Sequence, residues 1–254
     1  MQLLNRFLVW LTAALTLAGF ELAWRQPRQA FAWLIFLLIV VLVTLWQLTG
    51  RHLGKAIFWQ LAITPIFLLL ASWLFFIFSE ATKLRHVYIL SWSLLLFVFL
   101  QAVYLYWHQR PRYQVHSLEN ISNYLNVLTI FLFFVGLFDL KIILQFDFWG
   151  LFLIGLIGAV LLTYELFAVS GISFRQQWPT LAVLGLLLAE LSWAVSFLPT
   201  SVYVNGLIIT LFYYLLTGLT RNWLLQIQER GVVVRYLLIG VLSLVIILAS
   251  AKWF

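Results

Sequence analysis

Apolar residues follow one another in nine long runs, and short polar links separate these runs. Each run is roughly 20 residues long, which is the length that a helix needs to cross about 30 Å of hydrocarbon. A transmembrane barrel would alternate apolar and polar residues in segments of about ten, and the runs do not alternate. The pattern therefore predicts transmembrane helices over residues 7–24, 30–48, 56–78, 87–107, 121–144, 148–170, 179–198, 203–220 and 232–251.

Composition indicates the same fold class. The chain is 65% hydrophobic and 9% charged, whereas soluble domains carry about 25% charged residues. Because hydrocarbon offers a backbone no hydrogen bonds, only helices and closed barrels cross it. We predict an all-α polytopic integral membrane protein, a bundle of about nine transmembrane helices with short links. The longest link, residues 108–120, is too short to fold alone, so residues 1–254 are predicted to form a single transmembrane domain.

The net charge of +7 comes from basic residues that stand one or two at a time between the apolar runs. This spacing is typical of charges that set topology and attract anionic lipid, so we predict membrane lipids as partners and no nucleic acid. The side with more basic residues should be cytoplasmic, which puts the N-terminus inside a cell membrane, of the prokaryotic cytoplasmic kind. That side holds Arg6, Arg51, Lys55, Arg110, Arg112, Arg175, Arg221, Arg230 and Arg235, and the other holds Arg25, Arg28, Lys83, Arg85, Lys141 and Lys252.

Acidic residues inside the predicted helices are the leading candidates for function, because inserting each one costs roughly 3 kcal/mol at the helix centre. Glu190 falls near the middle of the seventh predicted helix, and Glu165 lies a turn or more inside the sixth, near enough to its end to snorkel. The short connection 199–202 predicts that the seventh and eighth helices are antiparallel neighbours. Thr210 and Tyr213 should then hydrogen-bond the Glu190 carboxyl, which either binds a ligand or proton or locks the two helices together.

Three asparagines enter the fifth predicted helix: Asn120, Asn123 and Asn126. We place Asn120 and Asn123 on one helical face, with Asn126 beside it. Such a face coordinates a polar headgroup, a cation or a neighbouring helix. The alternative is an interfacial helix start at which asparagine and serine cap backbone N–H groups.

Small residues recur at spacings of three and four along three predicted helices, which is the pattern that lets another helix backbone approach closely. We expect these faces to contact other membrane subunits or a second copy of the chain. They comprise Gly155, Ala159 and Thr163 in the sixth helix, Ala182, Gly185, Ala189, Ser192 and Ser196 in the seventh, and Gly206, Thr210, Tyr213 and Thr217 in the eighth.

Residue types leave little room for catalysis. The chain has no cysteine, which excludes disulfides and thiolate metal sites. No serine stands in a nucleophile-elbow motif, and the histidines fall in the links without metal-ligand spacing. We therefore predict no catalytic residue, no metal site and no cofactor. The histidines are His52, His86, His108 and His116.

Three classes of function remain. The leading prediction is a non-catalytic subunit of a membrane complex, or a protein that binds lipid or a partner. The alternative is a transporter or permease for a small solute, lipid or ion, using Glu190 and the polar faces of the fifth, seventh and eighth helices. A lipid-modifying enzyme ranks third, with polar residues available only in the region 108–126. A water-filled cavity at Glu190 would favour transport, and a wide apolar groove would favour lipid or partner binding.

Overall fold

The computed structural model describes residues 2–50, 56–78, 84–114, 116–227 and 229–251. Every regular element in these ranges is a helix, and nine of the helices are long and apolar enough to cross a membrane. This confirms the predicted all-helical class and the predicted number of apolar helices. The nine are α1 Gln2–Arg25, α2 Ala30–Leu48, α3 Ala56–Phe78, α4 Arg85–His108, α5 Ser117–Ile143, α6 Phe148–Val169, α7 Phe174–Val195, α8 Val202–Leu224 and α9 Arg230–Ser250.

Helix bounds agree with the apolar runs to within four residues, except at the starts of α1 and α7, and α1 begins at Gln2 rather than at residue 7. Helix α7 begins at Phe174, five residues before the predicted start at Pro179. Pro179 is the sixth residue of α7, inside the helix, where it cannot donate the usual hydrogen bond to the carbonyl of Arg175. The helix also ends at Val195, three residues before the predicted end at Leu198. Glu190 therefore lies five residues before the helix end, nearer to it than predicted.

The chain divides into two compact units, residues 1–125 and 126–254. The prediction of one transmembrane domain stays a prediction. The predicted orientation also stays a prediction, and some of the residues behind it lie outside the described residues, as does one histidine. These residues are Arg51, Lys55, Lys83, Lys252 and His52.

In the first unit, α1 packs against α2 and α4, and α3 packs against α2 and α4. The Thr12 and Thr44 hydroxyls lie 2.7 Å apart in the α1–α2 contact, where both side chains are buried. Phe20 of α1 packs on Trp73 and Phe76 of α3, with ring centroids 4.8 and 5.5 Å away. The core of this unit is therefore aromatic and aliphatic, with polar side chains paired across helices.

In the second unit, α6 packs against α7, α7 against α8, and α8 against α9. The α7–α8 contact confirms the prediction that these two helices are neighbours. Glycine permits the α8–α9 contact, since a Cβ at Gly218 would lie 2.3 Å from the Tyr236 ring. Only 6% of the apolar stretch of α9 is buried within the chain, so this helix presents nearly all of its surface outward.

Glycines of the predicted small-residue faces make helix contacts within this chain. A Cβ at Gly206 of α8 would lie 2.5 Å from Val135 of α5. A Cβ at Gly155 of α6 would lie 3.1 Å from Phe134, also of α5. Both α6 and α8 therefore come close to α5 through positions that have no side chain. Contact with another subunit stays a prediction.

We expect Gly206→Ala to destabilise the protein by about 1–3 kcal/mol relative to Gly150→Ala, because overpacking forces strained rotamers or backbone shifts. The neighbour of the new methyl group is Val135, whose branched side chain has one preferred rotamer in a helix. Gly150 is the matched control, since a Cβ there meets no atom within 4 Å. Thermal unfolding in detergent measures the difference, and equal melting temperatures for the two variants would disprove the close α5–α8 contact.

Candidate functional site

A groove of about 700 Å³ runs between α6 and α7 in the second unit. Its walls are almost wholly apolar, and aromatic rings stand toward both ends of α7. On α6 the lining residues recur every three or four positions, so they share one face of the helix. The groove is lined by Trp149, Phe152, Leu156, Val160, Phe174, Trp178, Leu181, Ala182, Gly185, Leu186, Ala189, Glu190 and Trp193.

The floor of the groove forms where α6 and α7 come closest. A Cβ at Gly185 would lie 2.9 Å from Val160 and 3.4 Å from Leu156, so this position admits no larger side chain without a shift. The two helices also share a buried apolar cluster that includes Leu166, Phe167 and Leu184. Close contact at the floor and bulky rings above it give the surface its concave shape.

Glu190 lines the groove, and among its lining residues it alone is ionisable. Its side chain is exposed, whereas Ala189 directly before it is buried. Leu188 and Ala189 lie on the packed face of α7, and the next residue, turned about 100° further around the helix, lies beyond the edge of that face. The groove therefore has one acidic side chain in an otherwise apolar wall.

The predicted hydrogen bonds from Thr210 and Tyr213 to Glu190 are wrong. The Thr210 hydroxyl donates to the backbone carbonyl of Gly206 at 2.7 Å, within its own helix. Tyr213 is fully buried, while Glu190 faces the groove. Similar depth along two helices did not bring the groups together, because their rotation about the helix axes points them in different directions.

A buried polar cluster joins α5 and α6. The Asn126 side-chain amide donates to the Glu165 carboxyl at 2.7 Å and to the Leu162 carbonyl at 3.2 Å. Asn126 and Glu165 are both completely buried. The amide therefore gives the carboxyl a donor that hydrocarbon does not supply. The expectation that Glu165 snorkels toward a helix end is wrong, since the side chain turns inward.

Tyr213 of α8 completes this cluster from a third helix. Its hydroxyl lies beside Thr163 and within electrostatic range of Glu165. Within the described part of the chain, the hydroxyl has no partner that meets hydrogen-bond geometry. The cluster thus contains a buried phenol that adjoins polar groups without a well-formed bond.

The asparagines of α5 differ from the predicted arrangement. Asn120 is exposed and Asn123 is half-buried, so the face predicted to coordinate a ligand does not point inward. The inward face contains Ser122, Asn126 and Thr129, which recur at spacings of four and three. Of the seven candidates, the structure brings together Asn126, Glu165 and Tyr213, and it leaves Glu190, Thr210, Asn120 and Asn123 apart.

The region predicted to serve a lipid-modifying enzyme makes separate local contacts. His108 is the last residue of α4, rather than part of a link, and its Nε2 lies 2.7 Å from the Asn5 amide. His116 lies 3.0 Å from Glu119 on the exposed start of α5. Within the described residues these groups do not converge on one point, and the enzyme alternative receives no support from them.

The groove itself was missed from the sequence. Trp149 and Trp178 were visible only as aromatic residues near helix ends, a position that tryptophan prefers in any membrane protein. The spacing of Trp149, Phe152 and Leu156 was the available signal. An ordinary lipid-facing stripe has the same spacing, so the signal does not reveal a concave surface.

The chain belongs to the family described as "Protein of unknown function (DUF5656)", which it matches over residues 4–250. The match covers every helix of both units. No curated protein and no solved structure matches the chain. The family description names no activity, so the candidate site rests on the geometry of the groove and of the buried cluster.

We expect Asn126→Leu to lower the free energy of unfolding by about 1–2 kcal/mol, because it removes the hydrogen bond that the Asn126 amide donates to the buried Glu165 carboxyl. Asn123→Leu is the matched control, being half-buried three residues earlier in the same helix. The double variant Asn126→Leu/Glu165→Leu should recover part of the loss, since it removes the polar group as well as its partner. Thermal unfolding measures all three. If Asn126→Leu and Asn123→Leu unfold alike, the pair does not stabilise the helix contact.

Proposed function

We propose that this member of the DUF5656 family is an integral membrane protein that crosses a cell membrane nine times and binds a lipid in the α6–α7 groove. The groove is the observation that supports this function. Its volume of about 700 Å³ falls within the roughly 300–1,000 Å³ range of small-molecule sites. Its apolar walls suit a hydrocarbon chain. The distribution of basic residues supports a cytoplasmic N-terminus.

Packing at the floor favours a lipid over the helix of a partner protein. Membrane helices associate through small residues that let their backbones approach. In the groove that role is already filled inside the chain, since Gly185 packs against Val160 of α6. The remaining surface presents large rings, and about half or more of each ring is exposed. Examples are Trp149, Trp178 and Trp193. Rings that project from the surface hold the backbone of a partner helix away from it, whereas a flexible hydrocarbon chain needs no such backbone approach.

Transport is the second candidate, and the buried cluster is the observation that favours it. An ionisable residue buried in a membrane helix marks a functional site by default, and Glu165 meets that description with Asn126 as its partner. The groove does not favour transport of a polar solute, because the wall beside Glu190 is apolar. The lipid-binding function is therefore the one that the groove supports best.

The decisive experiment fills the groove. Ala182→Trp places an indole on an exposed position of the lining, whereas Val183→Trp places the same indole on an exposed neighbour outside it. Native mass spectrometry of the detergent-purified protein counts bound lipid. We expect Ala182→Trp to weaken lipid binding about tenfold, or about 1.4 kcal/mol, and Val183→Trp to bind as the parent chain does. Equal lipid retention by both variants would exclude the groove as the site.

A further inference from the structure

We infer that the lipid in the α6–α7 groove ends in a hydroxyl or ammonium group and carries no phosphate, and that the Glu190 carboxylate accepts a hydrogen bond from this group. The inference rests on the proposed function, which supplies the lipid. It assigns the polar end of that lipid to a chemical class.

The charge of the Glu190 carboxylate favours a lipid whose polar end is neutral or positive. Among the described residues, Glu190 is the one ionisable residue of the lining, and no described lysine, arginine or histidine accompanies it there. An anionic phosphate beside this carboxylate would meet a like charge with no cation between them, in surroundings that screen charge poorly. A hydroxyl or an ammonium group instead offers the carboxylate a donor, and an ammonium group also offers an opposite charge.

The Glu190 carboxylate also lacks a hydrogen-bond donor among the described residues. No hydrogen bond to Glu190 forms within the described part of the chain. An acidic group at membrane depth is costly unless a partner satisfies it. The side chain is exposed to the groove, so a bound molecule is placed to act as that partner. In this respect Glu190 differs from Glu165, whose carboxyl already accepts from Asn126.

The position of Glu190 along α7 also favours a small polar group. Trp193 stands three residues nearer the helix end than Glu190, which is about 4.5 Å along the axis. Trp149 is the second residue of α6 and lines the same groove. Since tryptophan prefers the headgroup level, Glu190 lies about one turn to the hydrocarbon side of that level. A small donor at the end of a chain reaches this depth without drawing a phosphate into hydrocarbon.

The remaining length of the groove suits the chain of such a lipid. Glu190 and Phe174, which both line the groove, are 16 residue steps apart along α7, or about 24 Å. That is longer than half of a hydrocarbon core of about 30 Å. One long chain can therefore lie along the apolar wall while its polar end meets Glu190.

Lys141 is a nearby cation that a phosphorylated lipid could contact, so the experiment includes a variant of this residue. It lines a separate cavity of about 30 Å³, together with Phe152 and Ser192, and it does not line the groove. A phosphorylated lipid would need a cation such as this one. The variant Lys141→Gln tests for that contact.

The experiment compares four lipids that share one C18 chain and differ at the polar end: oleyl alcohol, oleylamine, oleic acid and oleyl phosphate. Each is titrated into the delipidated, detergent-purified full chain, and native mass spectrometry gives its Kd. We expect the alcohol and the amine to bind at least about tenfold more tightly than the two acids. Tighter binding of the amine than of the alcohol identifies an ammonium headgroup, and the reverse order identifies a hydroxyl.

Variants locate the selectivity. Glu190→Gln should reduce the preference for the alcohol and amine to less than about threefold, with the larger loss for the amine because its opposite charge is gone. Glu229→Gln is the matched control, an exposed acid at the start of α9 that does not line the groove, and it should leave the preference unchanged.

Separate results overturn the headgroup assignment and the proposed function. Oleyl phosphate binding as tightly as the alcohol, or losing affinity in Lys141→Gln, would overturn the assignment. So would an unchanged preference in Glu190→Gln. If Ala182→Trp binds all four lipids as the parent chain does, or if none of the four binds, the proposed lipid groove itself fails.

Discussion

The close approach of α6 and α8 to α5 is the contact on which the second unit depends. It is possible because Gly155 and Gly206 have no side chain at the points where Phe134 and Val135 of α5 fill the space. Close fit and hydrogen bonding both act across this contact. The same approach brings Asn126 within 2.7 Å of Glu165. Packing and polar pairing are thus two results of one geometry.

The two acidic residues of α6 and α7 differ because of their rotation about the helix axes. Glu165 turns into the packed interior and receives a hydrogen bond from Asn126. Glu190 turns outward beside Ala189, into a groove whose other lining residues carry no charge. One carboxyl is therefore paired within the fold, while the other faces the groove. Gly185 of α7 packs at the floor against Val160, and large side chains such as Trp178 and Trp193 form much of the outer wall.

Much of the architecture was predictable from the sequence, for a specific physical reason. A helix that crosses hydrocarbon needs an apolar run of about 20 residues, and the polar links that end such runs mark where each helix stops. The bounds of α2 and α3 agree residue for residue with the prediction. The spacing of Gly155 and Gly206 with other small residues correctly marked surfaces of close approach. These features depend on one helix at a time, and one helix can be analysed from its own residues.

The candidate site was less predictable because it depends on how neighbouring helices are rotated. Glu190 and Tyr213 were matched by depth, yet only rotation decides whether two side chains at one depth meet. Asn126 was placed beside the functional face of α5, and it is the asparagine that turns fully inward. The groove depends on the curvature of two adjacent surfaces. Its residues resemble any lipid-facing stripe when the helices are considered separately.

The most direct measurement of what occupies the groove is photo-crosslinking in the native membrane. Benzoylphenylalanine replaces Leu186, which lines the groove with 61% of its surface exposed, or Val183, which is 58% exposed and lies outside it. After illumination, mass spectrometry identifies the adduct at each position. If the groove holds a lipid, position 186 gives one dominant lipid adduct and position 183 gives a mixture that follows the bulk membrane. A cross-link from position 186 to a second copy of the chain or to another protein would contradict lipid binding.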